Sequence, residues 1–315
     1  MHVVIIDPFV PLEQIQQRVR LEHRIDALSR EIDLTNVQVV ITAGIGVSAS
    51  DLTRMPSLCE VITASTGIDH LDKALLMSRQ VQITNVPDYC TEEVSDHAVA
   101  QTCALLRSLP RAISNPDGAW DNPQGVGVRR FSSARIGVLG TGRIGRAICR
   151  KLLALGMLVS AAQRPSSDRE MTPIPGVTAT SLDDMLPKVD VLVIAAPGAH
   201  DGGVVLDQNR LASLRQDALL VNVSRASLVD LVALQRQLEA GLLAGAFFDA
   251  WEPEPPVSPS SLMEVPGLFL SPHSGWYSPE SASDLWGAVA ARLDELEETR
   301  PSDLAGDNDR KAHAN

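Results

Sequence analysis

Cysteine, positive charge and long apolar runs are all scarce in this chain of 315 residues. Its 4 cysteines form neither a CxxC pair nor a dense disulfide scaffold, which favours a reducing cytoplasm. The formal net charge of -12 argues against binding to nucleic acid or to an anionic membrane. No stretch approaches the roughly 20 uninterrupted apolar residues of a membrane span, and the first apolar run is too short for a signal peptide. We therefore expect a globular cytoplasmic protein.

Short apolar runs alternate with helical patterns, which is typical of parallel β-sheets. The predicted strands cover residues 3–6, 37–42, 60–64, 81–85, 135–139, 158–162, 189–196, 218–223, 244–248 and 268–270. A helix is predicted from Thr91 to about Leu109, with acidic residues in its first turn. A last helix begins at Ser278, where a cap residue precedes a proline and an early acid. The chain is therefore expected to have an α/β fold.

A glycine-rich turn lies between a predicted strand and a helix predicted over residues 145–155. Gly140 permits the tight turn, Gly142 lets the backbone approach a pyrophosphate, and Gly145 packs the helix against the strand. Amide groups at the start of the helix, at Arg143 and Ile144, would hold the phosphates. Because the strand and the helix flank this GxGxxG motif, we favour a dinucleotide site over a purely structural turn.

These patterns predict two doubly wound parallel-sheet domains. A Rossmann nucleotide-binding domain of residues 97–282 would be inserted in a flavodoxin-like substrate domain made of residues 1–96 and 283–315. The last helix would return to the first of these sheets. We predict no metal site in either domain.

The end of the next strand indicates which cofactor is bound. An acidic residue there hydrogen-bonds the ribose 2′-hydroxyl and repels a 2′-phosphate, but this chain has Gln163 and Arg164, followed by Ser166. Arg164 and Ser166 predict a site for the 2′-phosphate, which favours NADP(H). If Arg164 is instead a solvated loop residue, the selectivity is relaxed and NAD(H) is possible.

Three polar positions follow the glycine turn along the chain. Arg225 can fork onto a carboxylate, a carboxylate of the acidic segment 248–255 can orient an imidazole, and His273 can exchange a proton near neutral pH. Each residue taken singly could be an ordinary structural one. Together with a dinucleotide site in the same chain, the set predicts a dehydrogenase.

The order of these motifs resembles that of the D-isomer-specific 2-hydroxyacid dehydrogenase family, over nearly the whole chain. The segments 85–97 and 273–277 resemble a branch that includes the C-terminal-binding-protein corepressors. The resemblance implies that the chain reduces a 2-oxo acid to a D-2-hydroxy acid. It assigns the acid/base role to His273, its carboxylate partner to Glu254, and the nicotinamide carboxamide to Asp249.

The resemblance also implies where the substrate binds. Backbone amides of Ser65, Thr66 and Gly67 would hold the substrate carboxylate together with Arg225. Trp276 lies three residues after His273 and could form a wall for the substrate side chain, although core packing explains it equally well. A homodimer is expected through the Thr91–Leu109 helix and the loop that follows. His97 on that helix is interpreted as structural.

Some positions depart from the family pattern. Ala226 stands where family members usually have glycine, and Thr63 stands where the corepressor-like branch has a basic residue. Thr42, Ala43 and Gly44 are small where larger side chains can line the pocket, which predicts a bulky or polar substituent on the 2-oxo acid. Two alternatives stay open, a dinucleotide-sensing corepressor-like protein and a phosphite or formate dehydrogenase, of which Glu254 disfavours the formate type.

Overall fold

The computed structural model describes residues 1–20, 23–27, 32–114, 117, 120, 127–165, 167, 171–198, 203–257, 262 and 264–299. The chain divides into two compact units. The discontinuous unit comprises Met1–Tyr89 and Ser278–Asn315, and the continuous unit comprises Cys90–Tyr277. The predicted domain boundaries at 96/97 and 282/283 lie a few residues further along the chain, and the assignment of functions to the domains stays a prediction.

The strands are short, and most of them are buried strands of parallel sheets. In chain order they are β1 (His2–Ile5), β2 (Arg24–Ala27), β3 (Val39–Thr42), β4 (Glu60–Thr63), β5 (Gln82–Asn85), β6 (Arg135–Leu139), β7 (Leu158–Ala162), β8 (Thr178–Ala179), β9 (Val191–Ile194), β10 (Leu219–Asn222), β11 (Gly245–Phe248) and β12 (Leu268–Leu270). The α-helices are α1 (Leu12–Gln16), α2 (Ala49–Arg54), α3 (Lys73–Ser78), α4 (Thr91–Leu106), α5 (Leu109–Ser114), α6 (Arg143–Ala154), α7 (Leu182–Met185), α8 (Gln208–Ala212), α9 (Leu231–Glu239) and α10 (Pro279–Glu298).

The discontinuous unit contains a parallel sheet in the order β2-β1-β3-β4-β5. This is the flavodoxin-like order, and β1, β3 and β4 are buried along their whole length because both faces are covered. Helix α10 begins at a capping box formed by Ser278 and Ser281, with a proline in its first turn. Its Arg292 makes two hydrogen bonds to the buried Glu60, at 2.8 and 2.9 Å. The last helix thus packs on the first sheet.

The continuous unit contains a parallel sheet in the order β12-β11-β10-β9-β6-β7-β8. Successive strands run outward from β6 to β8 on one side and from β9 to β12 on the other, which is the doubly wound Rossmann arrangement. The order reverses between β6 and β9. Ligands of such sheets bind in the crevice outside the carboxyl ends of the strands at this point, and the glycine turn begins there.

The predicted strands and the observed ones differ at the sheet edges. Strands β2 and β8 were not predicted, because each is a short edge strand with exposed positions and lacks a continuous apolar run. The helix predicted to reach Leu109 ends at Leu106, and Ser108 adopts a left-handed φ of 51° before α5 begins. Within the described ranges, no helix combines the length and apolar character needed to cross a membrane.

Candidate active site

The glycine turn between β6 and α6 is fixed by close packing at two of its three glycines. Gly140 has a φ of +100°, and a Cβ atom there would lie 2.6 Å from the backbone nitrogen of Ala196. A Cβ atom on Gly145 would overlap the carbonyl oxygen of Gly140. A side chain at either position would therefore push the turn away from β9 or open it.

The middle glycine faces open space. A Cβ atom on Gly142 would meet nothing within 4 Å. Gly142 is also the N-cap of α6, and as a glycine it has no side chain that could cap the helix. The backbone N–H groups at the start of this helix, at Arg143 and Ile144, and the positive end of its dipole stabilise an anion. The turn therefore fits the pyrophosphate of a dinucleotide.

Arg164 links the ends of two strands across this turn. It follows β7, and its Nη1 atom donates to the carbonyl oxygens of Pro197 at 3.2 Å and Gly198 at 3.3 Å, in the segment after β9. Because β6 lies between β7 and β9, the link crosses the carboxyl end of β6. Gln163 precedes Arg164 and is half-buried. Ser166, the third residue of the predicted 2′-phosphate site, lies outside the described residues.

The predicted catalytic side chains follow three neighbouring strands. Arg225 follows β10, Glu254 follows β11 and His273 follows β12, and these strands are adjacent in the sheet. The carboxyl ends of parallel strands meet at one edge of a sheet, so the topology brings the three segments together. Residues 225, 254 and 273 are far apart along the chain, but the fold places their segments side by side.

His273 and Glu254 form a direct pair. The Nδ1 atom of His273 lies 2.7 Å from Oε2 of Glu254, and the imidazole is 43% exposed. The other carboxylate oxygen, Oε1, accepts a hydrogen bond from the backbone nitrogen of Trp251 at 2.7 Å. Both oxygens are thus held, and Nε2 is the ring nitrogen of His273 that can exchange a proton with a ligand.

The charges around Glu254 keep it ionised. Partial burial opposes its charge, but the hydrogen bond and charge of His273, the Trp251 amide and the charge of Arg225 outweigh this effect and hold the pKa of Glu254 below its ordinary value. Arg225 therefore acts electrostatically on the same pair.

Hydrogen bonds hold the backbone of the segment that carries Arg225. The buried Asn222 donates from Nδ2 to the carbonyl oxygen of Arg225 at 2.9 Å and accepts from the backbone nitrogen of Ser224 at 2.9 Å. The Ser224 hydroxyl donates to the carbonyl oxygen of Ala196. Buried amide groups held this way fix a loop firmly, since an unpaired one is costly. Asn222, three residues before Arg225, thus has a structural role in holding this segment.

Asp249 holds the segment that carries His273. The backbone nitrogens of His273, Ser274 and Gly275 all donate to it: the first to its carbonyl oxygen at 2.8 Å, and the others to its carboxylate at 3.1 and 3.0 Å. His273 has a left-handed φ of 50°, which costs a residue with a side chain roughly 1–2 kcal/mol. Hydrogen bonds to a charged group contribute about 1.5–3 kcal/mol each, so these contacts are sufficient to keep the turn.

The buried Asp249 has a strongly lowered pKa. Burial opposes its charge, but hydrogen bonds from His97, Ser271 and Gly275, together with the charge of His97, lower the pKa from 3.8 to about 2. The carboxylate is therefore ionised at physiological pH. His97 and Ser271 were missed as site residues from the sequence. The spacing of His97 and Gln101 by four on α4 was the available signal, because it places both side chains on one face of the helix.

In the discontinuous unit, the predicted carboxylate-binding turn follows β4. The Ser65 hydroxyl donates to the carbonyl oxygen of Gly67 at 2.6 Å, and Asn85 donates to the carbonyl oxygen of Thr66 at 2.7 Å. The turn after β3 is held separately. The buried Asp7 accepts hydrogen bonds from the backbone nitrogens of residues 43–45 at 2.8 to 3.3 Å. Both turns have fixed backbones at the carboxyl edge of this sheet.

Trp276, which was predicted to form a wall for the substrate side chain, is half-buried. Trp276 packs edge-on against Tyr277, with ring centroids 5.4 Å apart. This ring contact does not test whether Trp276 forms a wall for the substrate, and that role stays a prediction. Among the residues that the structure describes, no group of three or more His, Cys, Asp or Glu side chains could hold a metal ion.

Comparison with known proteins identifies the family of the chain. Residues 99–275 match the family model described as D-isomer specific 2-hydroxyacid dehydrogenase, NAD binding domain. The glyoxylate reductase of Thermococcus kodakarensis is 30% identical over 70% of this chain and 68% of its own. The glycerate dehydrogenase of Methylorubrum extorquens is 26% identical over 86% of both chains. The chain therefore belongs to the D-isomer-specific 2-hydroxyacid dehydrogenase family, whose members are NAD(P)-dependent oxidoreductases.

A solved structure extends the likeness to the whole fold. The NADPH-dependent glyoxylate/hydroxypyruvate reductase of Sinorhizobium meliloti, in complex with NADP and malonate, superposes with a TM-score of 0.80 at 28% identity. The alignment covers 95% of this chain and 94% of that one. The two parallel-sheet domains expected from the sequence are thus confirmed, including the Rossmann fold. The resemblance to the corepressor-like branch stays a prediction.

Proposed function

We propose that this chain reduces a 2-oxo acid to the D-2-hydroxy acid and prefers NADPH. The observation that carries the proposal is the convergence of Arg225, Glu254 and His273 at the carboxyl ends of three adjacent strands, with His273 and Glu254 2.7 Å apart. The named relatives reduce glyoxylate or hydroxypyruvate or oxidise glycerate, which supports a 2-oxo acid as the substrate class.

The chain's own groups account for the proton transfer and the charge. When bound, the nicotinamide supplies the hydride for reduction or accepts it for oxidation. Arg225 would bind the substrate carboxylate and stabilise the negative charge that develops on the carbonyl oxygen. His273 would donate a proton from Nε2 to that oxygen, while Glu254 holds Nδ1 and stays ionised. In the oxidation direction, neutral His273 would act as the base.

Asp249 would hold the nicotinamide carboxamide through one oxygen. In the described part of the chain, Oδ1 accepts from Ser271, Ser274 and His97, whereas Oδ2 accepts from Gly275. A carboxylate oxygen can accept more than one hydrogen bond. Oδ2 is therefore the oxygen with capacity for an amide donor of the cofactor.

The preference for NADPH rests on the segment after β7. A cation at Arg164 favours a 2′-phosphate, and the position has no carboxylate that would repel one. The variant Gln163→Asp should shift the preference towards NADH, because it restores an acceptor for the ribose 2′-hydroxyl. The ratio of kcat/KM for the two cofactors measures this shift. A ratio that stays as in the wild type would contradict the 2′-phosphate assignment.

The direct test follows cofactor oxidation by the purified protein with NADPH and NADH, across a panel of 2-oxo acids. Turnover with at least one acid, faster with NADPH, is the expected result. His273→Ala should abolish this turnover and leave cofactor binding intact, whereas Arg215→Gln, at a partly exposed arginine of the same unit, should preserve it. Pyruvate and glyoxylate as the best substrates would exclude the larger or more polar side chain expected from the small residues at 42–44. Tight cofactor binding without turnover would instead favour a dinucleotide sensor.

We also propose that the protein is a cytoplasmic homodimer. Leu109 and Ile113, one helical turn apart on α5, are 51% and 77% exposed, and Trp120 is 86% exposed. Apolar side chains of this size on one segment suit a contact with a second copy of the chain. This segment follows α4, where the dimer contact was predicted.

A further inference from the structure

The continuous unit contains a second pair of a histidine and a carboxylate. His97 Nε2 lies 3.1 Å from Oδ1 of Asp249. Ser271 donates to the same oxygen at 2.7 Å and also lies 3.1 Å from His97 Nε2. His97 is on α4, whereas Asp249 follows β11 and Ser271 follows β12. The pair therefore connects helix α4 to the carboxyl ends of β11 and β12, the two strands that Glu254 and His273 follow.

The contacts of His97 allow one of its ring nitrogens to be assigned a hydrogen. An ionised carboxylate only accepts hydrogen bonds, so the Nε2 atom that faces Asp249 carries a hydrogen. Gln101 Nε2 also lies 2.8 Å from His97 Nε2. We assign the carboxylate as the partner, because an N–H group directed at a charged acceptor makes the stronger hydrogen bond, and the Gln101 amide also donates to Ser271 Oγ at 3.2 Å.

Asp249 converts this pairing into a constraint on His273. Three successive backbone nitrogens, those of residues 273, 274 and 275, donate to Asp249. A Cβ atom on Gly275 would lie 2.6 Å from Oδ2 of Asp249 and 3.1 Å from Cδ2 of His97. The three residues are therefore closely packed, with no room for a side chain at Gly275. Any rotation of the carboxylate would change the turn that directs the imidazole of His273.

We propose that His97 is a positioning residue of the reductase: it fixes the Asp249 carboxylate, and through it the left-handed turn at His273. This inference rests on the proposed function and concerns the same site. It assigns to His97 a role that is exerted through Asp249 and not on the reacting atoms.

The pairing predicts a distinctive pH dependence. Within the described chain, His97 is the titratable side chain that contacts the Asp249 carboxylate, and Ser271 is its neutral partner. Burial raises the pKa of Asp249, and the hydrogen bond from His97 is the largest opposing effect. Without His97 the pKa of Asp249 should rise. Protonation of Asp249 would then weaken the turn at a higher pH than in the wild type.

The experiment compares His97→Phe and His97→Gln with the wild type. Phe removes the N–H group, whereas Gln places a neutral N–H donor at a similar distance. We expect His97→Phe to lower kcat by roughly 10- to 100-fold, the scale of a displaced catalytic group, and to move the acid limb of the kcat/KM profile to higher pH. His97→Gln should recover part of kcat but keep a shifted acid limb. Unchanged kcat and an unchanged profile in both variants would overturn the proposal.

A matched control separates positioning from general damage to the helix. Thr102 is buried on the same helix and its hydroxyl bonds only the carbonyl oxygen of Ala98 within the described chain, at 2.8 Å. Thr102→Val should keep the wild-type profile, and a shift of equal size there would overturn the assignment to His97. If His97→Phe does not fold, His97→Gln decides by its acid limb alone.

A second measurement does not depend on turnover. The imidazole of His273 is followed by NMR in the protein without cofactor, and its signal is assigned with His273→Ala. The signal of His273 should shift in His97→Phe and His97→Gln but not in Thr102→Val. An unmoved signal would overturn the positioning role. A wild type that reduces no 2-oxo acid would overturn the proposed function instead, and the NMR result would still decide the role of His97.

Discussion

Asp249 makes the turn at His273 sensitive to acid. Its pKa of about 2 in the fold lies below the ordinary 3.8, because the hydrogen bonds from His97 and Ser271 outweigh burial. The folded state therefore binds fewer protons here than the unfolded chain does. The ionised carboxylate stabilises the fold above about pH 4, and this contribution is lost as the pH falls towards 2.

The variant Asp249→Asn tests this linkage. The free energy of unfolding of the wild type, relative to the variant, should fall by about 2 kcal/mol between pH 5 and pH 2, since one pKa unit corresponds to about 1.4 kcal/mol. Urea unfolding at several pH values measures the difference. Asp183→Asn is the control, because Asp183 is an exposed partner of Arg210 and such pairs contribute little. A difference between wild type and Asp249→Asn that does not vary with pH would contradict the assignment.

Gly275 tests the packing around the same carboxylate. A methyl group there would press against Asp249 Oδ2 and His97 Cδ2. We expect Gly275→Ala to lower the free energy of unfolding by roughly 1–3 kcal/mol, the usual cost of overpacking, and to reduce turnover. Gly287→Ala is the matched control: nothing lies within 4 Å of its added Cβ atom in helix α10, so it should stabilise the protein by about 0.5–1 kcal/mol. Equal effects of the two substitutions would refute the packing argument.

At the scale of elements, the turn between β6 and α6 contains a glycine with a structural role, Gly145, and one with a functional role, Gly142. The backbone of Gly142 has a φ of -67°, which alanine also adopts, and its Cβ position is open. Gly142→Ala should therefore leave the thermal stability of the free protein unchanged. Cofactor binding should weaken roughly tenfold or more, equivalent to about 1.4 kcal/mol, because the methyl group would occupy the space needed by the pyrophosphate.

The contrast with Gly145 makes this prediction specific. Gly145→Ala should destabilise the free protein, since the added methyl group would overlap the carbonyl oxygen of Gly140. Thermal unfolding with and without the dinucleotide, together with a binding titration, distinguishes the two cases. Unchanged cofactor affinity in Gly142→Ala would remove the pyrophosphate from this turn.

The elements differ in how far the sequence could predict them. Strands β6, β7 and β12 have the predicted bounds, because each is a mainly apolar run. Edge strands such as β2 carry exposed positions and lack that signal. The pairing of Glu254 with His273 was expected from the family resemblance. The pairing of His97 with Asp249 was not, because it joins a helix to a strand end 152 positions later and only the fold brings them together.

At the scale of the whole molecule, the net charge and the exposed apolar side chains of Leu109, Ile113 and Trp120 have opposite effects on the association of two chains. A formal charge of -12 on each chain repels a second copy at long range. Burial of Leu109, Ile113 and Trp120 would offset this repulsion at contact, at about 25 cal/mol per Å² of apolar surface. Added salt screens the charges and leaves the apolar term, so association should strengthen as the ionic strength rises.

The variant Ile113→Glu tests the proposed dimer. Sedimentation should give the wild type twice the mass of one chain, and the variant the mass of one chain, because a carboxylate would be buried without a partner in the contact. Val232→Glu is the control, since Val232 is an exposed apolar residue on α9 of the same unit and should leave the mass unchanged. A wild type that sediments as a single chain would refute the homodimer. A dimer that persists in Ile113→Glu would instead place the contact on another surface, and the exposed side chains of α5 would then need a different partner.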